Sequence, residues 1–262
     1  MDMVAIIGGT GVYDPDIMEN TENRVITTSY GETRVMVGQY KGRTIAFMPR
    51  HGGDHSVPPH LINYRANIEA LYKLGVKRII ATAAVGSLNF EYKPGSIVVV
   101  DQFIDFTKSR IPTFFAGDER GVVHVDMTEP YCPEMRQVLF EVASTTDTDV
   151  FERGTYVCTE GPRFETAAEI KMFKVLGGDV IGMTTVPEAV LARELGICYS
   201  TVAMVTNYAA GISTGKLTHA EVVACMKANL VRLRETITRA IEKIPSPPGC
   251  DCGMVPDGIR VK

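Results

Sequence analysis

Five short apolar runs, each ending in small or polar residues, constrain this 262-residue chain more than any other feature. They occupy residues 4–7, 79–85, 97–100, 180–183 and 199–205. They lead into Gly8-Gly9-Thr10-Gly11, Gly86-Ser87, Asp101-Gln102, Thr184-Thr185 and Thr206-Asn207. Runs of this length read as buried strands, and segments of helical three-to-four spacing lie between them. The alternation predicts an α/β fold with ligand-binding groups gathered at strand ends. Helices are expected over about 62–74, 133–143, 166–176, 188–195 and 219–244. Ala66, Ile68, Leu71 and Tyr72 are the expected packing positions of the first, and Ala167, Ile170, Phe173 and Leu176 of the third. Thr218 reads as the N-cap of the last, with Glu221 as its third-residue partner. Runs at 24–28, 33–40 and 43–48, separated by Gly-containing turns, predict antiparallel strands. Residues 107–130 lack periodicity and read as a long surface excursion over a site or a subunit contact. Nothing in the composition marks a split, so one domain over 1–246 and a Pro/Gly/Cys tail over 247–262 are expected.

Hydrophobic residues make up 45% and charged residues 22%, with a formal charge of −4. That balance argues against nucleic acid or an anionic membrane as the main partner. The N-terminus enters a strand without a basic segment and a long apolar core, so a cytoplasmic protein is expected.

The stretch Glu160 to Glu188 holds the densest set of candidate groups. Phe164 and Glu165, on backbone that Gly161 and Pro162 keep out of helix, set an aromatic face beside a carboxylate. Such a pair suits a flat heterocycle, by stacking and by accepting a ring N–H. Met183, Thr184 and Thr185 follow a strand at the other end of the same unit. Gly8-Gly9-Thr10-Gly11 lets backbone N–H groups and a hydroxyl approach an anion, phosphate being the natural candidate. A dinucleotide fingerprint fails there for want of its third glycine. Arg50-His51 suits a bidentate grip on an oxyanion, against the plainer reading of a solvated basic loop. His51, His55 and His60 lack the spacing of a zinc pattern. Asn207 both donates and accepts, so it can read a purine edge, although an Asn at a strand end is usually a turn residue. Gly211-Ile212-Ser213-Thr214-Gly215-Lys216-Leu217 is not a phosphate loop: the glycines stand too close, and Leu217 replaces the hydroxyl that meets magnesium.

Of the six cysteines, Cys132, Cys158, Cys198 and Cys225 sit singly in apolar surroundings and read as small core residues. Cys250-Asp251-Cys252 in the tail is open to a redox pair, a staple or half of a metal site. One CxC without a second cluster is weak grounds for a metal, and none is assigned.

Taken together, Gly8-Gly9-Thr10-Gly11, Arg50-His51, Gly161-Pro162-Arg163-Phe164-Glu165-Thr166, Met183-Thr184-Thr185-Val186-Pro187-Glu188 and Thr206-Asn207 resemble the motif set of the trimeric purine nucleoside and methylthioadenosine phosphorylases. The resemblance spans about residues 3–245. It implies a single-domain α/β fold with a twisted mixed sheet partly closed as a barrel and surrounded by helices. It also implies a homotrimer or dimer of trimers, and cleavage of an N-glycosidic bond by phosphate in purine salvage, without metal or organic cofactor. Carried over by residue, it sets Thr10, Arg50, His51, Thr184 and the backbone of Ala83 and Ala84 around phosphate. Met183 goes to the ribose, and Phe164, Glu165, Asn207 and Ala209 to the base. Asn207 and His51 are the residues it assigns to catalysis. His219 stands where inosine-cleaving relatives bond the ribose 5′-hydroxyl; the alternative is a solvated first-turn residue. Glu165 and Asn207 match the 6-oxopurine enzymes, whereas the methylthioadenosine branch typically shows Ser and Asp there and a second Asp at Ala209. The implied substrates are inosine, guanosine or 5′-methylthioinosine. The alternatives are a methylthioadenosine phosphorylase and a non-catalytic purine-binding protein.

Overall fold

The structure is a computed structural model that describes residues 2–9, 18–52, 56–212 and 218–254, with His219 described by its backbone alone. Three strands carry the centre: β1 (Met3–Gly8), β5 (Val76–Ser87) and β11 (Cys198–Tyr208), which run parallel. Their side chains alternate between two cores, as a period of two requires. On β11, Tyr199, Ala203 and Val205 face one core, while Cys198, Val202 and Met204 face the other. Helices cover both faces, so the strands read as continuous apolar runs. On the first face α1 (Tyr64–Lys73) packs on α4 (Thr185–Glu194). On the second, α2 (Pro133–Ala143) packs on α5 (His219–Lys243).

The antiparallel trio β2 (Glu19–Thr28), β3 (Gly31–Tyr40) and β4 (Arg43–Pro49) joins through β4, which pairs parallel with β1. Beyond β11 lie β6 (Ile97–Val99) and the two-residue β8 (Val150–Phe151). The far end of β5 pairs antiparallel with β10 (Val180–Gly182), which continues to β9 (Thr155–Thr159) and β7 (Gln102–Phe106). The sheet therefore forks at β5, and no ladder among the described residues closes it into a ring. The fork leaves a gap: β1 pairs with β5 as far as Ala81, and β10 pairs with it from Gly86. Along 82–85 that edge of β5 has no strand beside it among the described residues, so its backbone groups must pair with side chains, as the Thr82 carbonyl does with Arg50, or with whatever fills the gap.

Several elements differ from expectation for identifiable reasons. Strand β11 does not stop at Val205 but runs on to Tyr208 through a bulge at Thr206, so Asn207 is a strand residue rather than a loop residue. Residues 79–87 likewise form one strand throughout instead of ending in a small-residue loop. Strands β7, β8 and β9 were not expected, being short and lacking a clean alternation. Helix α4 starts at Thr185 rather than at Glu188, because Pro187 in a first turn has no intrahelical bond to lose. In α3 (Ala167–Val175) a Thr166–Glu169 capping box sets the start. Only Ile170 and Phe173 of its expected apolar face are buried; Ala167 and Leu176 are exposed, as is Tyr72 of α1. The expected Thr218–Glu221 capping box is present in α5. The excursion 107–130 has no regular element but is anchored: Phe114 and Phe115 are buried, and Glu194 accepts from the Thr113 hydroxyl and the Phe114 amide.

Two of the cysteines read as single core residues are not single. The tail folds back in a short 3-10 turn (Asp251–Gly253), and the sulfurs of Cys132, Cys198, Cys250 and Cys252 lie within 4.8 Å of one another.

Candidate functional site

The gap in the β5 edge opens into a cavity of about 640 Å³, a size suited to a small ligand. Strand ends deliver its groups: Gly9 after β1, Arg50 and His51 after β4, Phe164 and Glu165 after β9, Met183 and Thr184 after β10, and Asn207 and Ala209 at the end of β11. Residues Thr82, Ala83, Ala84 and Val85 form the floor where the strand lacks a neighbour. All the expected site residues with described side chains therefore line one cavity. Thr10 and the side chain of His219 lie outside the described residues.

At one end, Arg50 is 3% exposed and its fork is already occupied. Nε and Nη2 donate to the two oxygens of Glu188 at 2.5 and 2.9 Å, and Nη1 donates to the Thr82 carbonyl at 2.8 Å. Tyr199 adds a 2.7 Å bond from its hydroxyl to Glu188. The Nε/Nη2 side of the fork thus goes to Glu188. A guanidinium carries five N–H groups, so one on Nη1 and one on Nη2 remain for another acceptor. Burial opposes the charge on Arg50, but the Glu188 carboxylate outweighs it and holds the guanidinium protonated. His51 Nδ1 lies 2.9 Å from the Val57 carbonyl, which can only accept, so Nδ1 carries a proton. Thr184 is the N-cap of α4, yet its side chain makes no capping bond. Thr184 itself lines the cavity, while Thr185 and Val186 of the first turn are fully buried.

At the other end, Glu165 accepts from the Thr159 hydroxyl at 2.6 Å. Burial raises its pKa, and the Thr159 bond opposes that rise. Asn207 is oriented by two bonds: Oδ1 accepts from the Thr206 hydroxyl at 2.7 Å, and Nδ2 donates to the Tyr208 carbonyl at 2.9 Å. One Nδ2 proton and one Oδ1 lone pair are left over. A Cβ on Gly86 would stand 3.2 Å from Asn207 Nδ2 and 3.3 Å from Ile181 Cγ2, so glycine leaves the amide its place. Phe164 is 40% exposed at the mouth. Helix α5 supplies a wall that sequence reasoning missed: Val222, Val223, Met226, Lys227 and Leu230. Glu188, Tyr199, Thr159 and Thr206 were missed as orienting groups too. Glu188 is separated from Arg50 by 138 positions, and no local pattern signals such a pairing.

The model of the phosphorylase superfamily matches residues 3–242, nearly the whole of the fold just described. The chain belongs to this superfamily. A 6-oxopurine nucleoside phosphorylase from Pyrococcus furiosus is 56% identical over 257 residues, covering 96% of this chain and 97% of the relative. An S-methyl-5′-thioadenosine phosphorylase from Pyrococcus horikoshii is 49% identical over 258 residues, covering 97% and 98%. Among solved structures, a methylthioadenosine phosphorylase from an Antarctic soil metagenomic library superposes with a TM-score of 0.89 at 38% identity, covering 95% of this chain and 89% of that one. Superfamily membership thus agrees with the resemblance carried by the five motifs. No helix among the described residues is long and apolar enough to cross a membrane.

Proposed function

We propose that this chain is a 6-oxopurine nucleoside phosphorylase. It cleaves inosine or guanosine with inorganic phosphate to the free purine and ribose 1-phosphate. The observation that carries the reading is the presence of Glu165 and Asn207 at one end of a cavity whose other end holds Arg50, His51 and Thr184. Glu165 accepts from N1–H of a 6-oxopurine; adenine offers only an acceptor at N1. The 6-oxopurine relative supports the same choice.

In the proposed reaction, the remaining N–H groups of Arg50, the Thr184 hydroxyl, His51 and the cavity-lining backbone of Ala83 and Ala84 hold phosphate. A phosphate oxygen bonds to C1′ of the ribose as the C1′–N9 bond breaks, and the bonding pair passes into the purine. Asn207 donates to N7, where that charge develops, and the proton of hydrogen phosphate ends on the base. Bonds that strengthen only as charge separates lower the barrier rather than tighten ground-state binding. Met183 lies under the ribose and Phe164 against the base. No cofactor takes part.

A specific observation favours 5′-methylthioinosine as a further substrate: four of the five α5 residues on the wall are apolar, which suits a thioether better than a hydroxyl. The reading includes a cytoplasmic homotrimer or dimer of trimers serving purine salvage. Initial rates with inosine, guanosine, 5′-methylthioinosine, adenosine and methylthioadenosine at saturating phosphate test it. The three 6-oxopurines should lead in kcat/KM. Preference for either 6-aminopurine would overturn the assignment.

A further inference from the structure

A second cluster of reactive groups lies at the other end of β11. Cys198 is its first residue and Asn207 its tenth, which puts the cluster about 30 Å from the cavity at ~3.3 Å per residue. Cys132 is the N-cap of α2, Cys250 is the N-cap of the 3-10 turn, and Cys252 lies within that turn. Cys132, Cys198 and Cys252 are buried and Cys250 half-buried, and all four are free thiols. We infer that Cys132, Cys198, Cys250 and Cys252 form a tetrahedral site for one thiolate-preferring divalent cation, zinc by its coordination preference, which pins the C-terminal tail to α2 and β11.

The geometry separates this from the alternatives. Four sulfurs around zinc at about 2.3 Å stand ~3.8 Å apart along the edges of the tetrahedron. Here Cys250 Sγ is 3.5 Å from Cys132 and 3.4 Å from Cys198, and every pair lies within 4.8 Å. A disulfide would draw one pair to about 2.05 Å, whereas Cys250 is nearly equidistant from two partners. Cys132 stands at the N-terminus of α2, where the helix dipole favours negative charge. The tail is also led into place: Arg78 bonds Pro245 O and Glu134, and Glu134 accepts from the Gly249 amide. Binding replaces four S–H bonds by four metal–sulfur bonds and releases four protons to solvent, with no change of oxidation state. Cys158 and Cys225 lie outside the cluster.

The test is elemental analysis of the full chain purified under reducing conditions without chelator, followed by replacement of the metal with Co²⁺. The expected result is one equivalent of zinc, or of iron in the same thiolate cage, per chain. The cobalt form should show the intense visible bands of a tetrahedral cobalt thiolate. The Cys250→Ser/Cys252→Ser variant should lose both the metal and those bands and unfold at a lower temperature, while keeping wild-type turnover at ambient temperature. If that variant fails to fold, the wild-type stoichiometry and cobalt spectrum still decide. Metal-free wild-type protein that titrates all six thiols when denatured, yet takes up neither Zn²⁺ nor Co²⁺ when folded, would overturn the inference. So would a mass deficit showing the cluster oxidised to disulfides.

Discussion

Replacing Glu188 with Gln removes the charge that compensates the Arg50 guanidinium while keeping the shape of the side chain. The side chains of Arg50 and Glu188 are 2% and 0% exposed, so solvent cannot take over the role. Breaking a buried pair from one side costs about 3–5 kcal/mol, because the remaining charge stays buried and unpaired. At roughly 2–4 °C per kcal/mol for a domain of this size, Glu188→Gln should lower Tm by about 6–20 °C in phosphate-free buffer. Phosphate supplies the missing negative charge, so adding it should raise the Tm of the variant by more than it raises that of wild type. Thermal unfolding of both proteins, with and without phosphate, reads both effects. An Arg50→Met/Glu188→Leu variant completes the comparison. It removes both charges and should recover much of the stability, at the cost of the Tyr199 hydroxyl losing its acceptor, while losing phosphate-dependent turnover. A Glu188→Gln Tm equal to wild type without phosphate, or a phosphate-induced rise no larger than that of wild type, would refute the reasoning.

The Glu165 carboxylate must be ionised to accept from N1–H, and burial raises its pKa, so kcat/KM on inosine should fall on the acid side above the ordinary carboxylate range. The folded chain holds more proton than the unfolded one between the two pKa values, so this group's share of stability falls as pH rises through that window. Glu165→Gln should abolish that acid limb and lower kcat/KM by about 10–100-fold; an acid limb unchanged in the variant would show that another group titrates. Asn207→Asp should raise the adenosine-to-inosine ratio of kcat/KM by about tenfold, one re-paired hydrogen bond, and an unmoved ratio would remove Asn207 from base recognition. Gly86→Ala sets a methyl 3.2 Å from Asn207 Nδ2 and should lower kcat/KM by about an order of magnitude; an unaltered kcat/KM would mean the amide tolerates displacement.

Much of the site was legible because each contributing segment is short and local. Thr206-Asn207 follows directly on an apolar run, Glu165 sits beside Phe164 on a Gly/Pro loop, and Thr218-His219-Ala220-Glu221 encodes its own cap. What could not be read are the relations between segments. The gap along 82–85 exists only because β1 and β10 share one edge of β5 and stop short of each other. The pairing of Arg50 with Glu188 depends on α4 packing beside the end of β4, and residue types alone aimed Arg50 at the ligand. The convergence of Cys132 and Cys198 on the tail has the same character, since neither carries a local spacing signal. Strand β7 was hidden because it follows β6 almost at once yet joins a different branch of the sheet.

The central claim is that phosphate, not water, takes the ribosyl group from a 6-oxopurine in this cavity. It is tested most directly by incubating the enzyme with inosine in phosphate buffer and in phosphate-free buffer and identifying the sugar product. Hypoxanthine and ribose 1-phosphate should form together in the first, with little release of base in the second. Equal release of hypoxanthine in both, with free ribose as the product, would contradict the account.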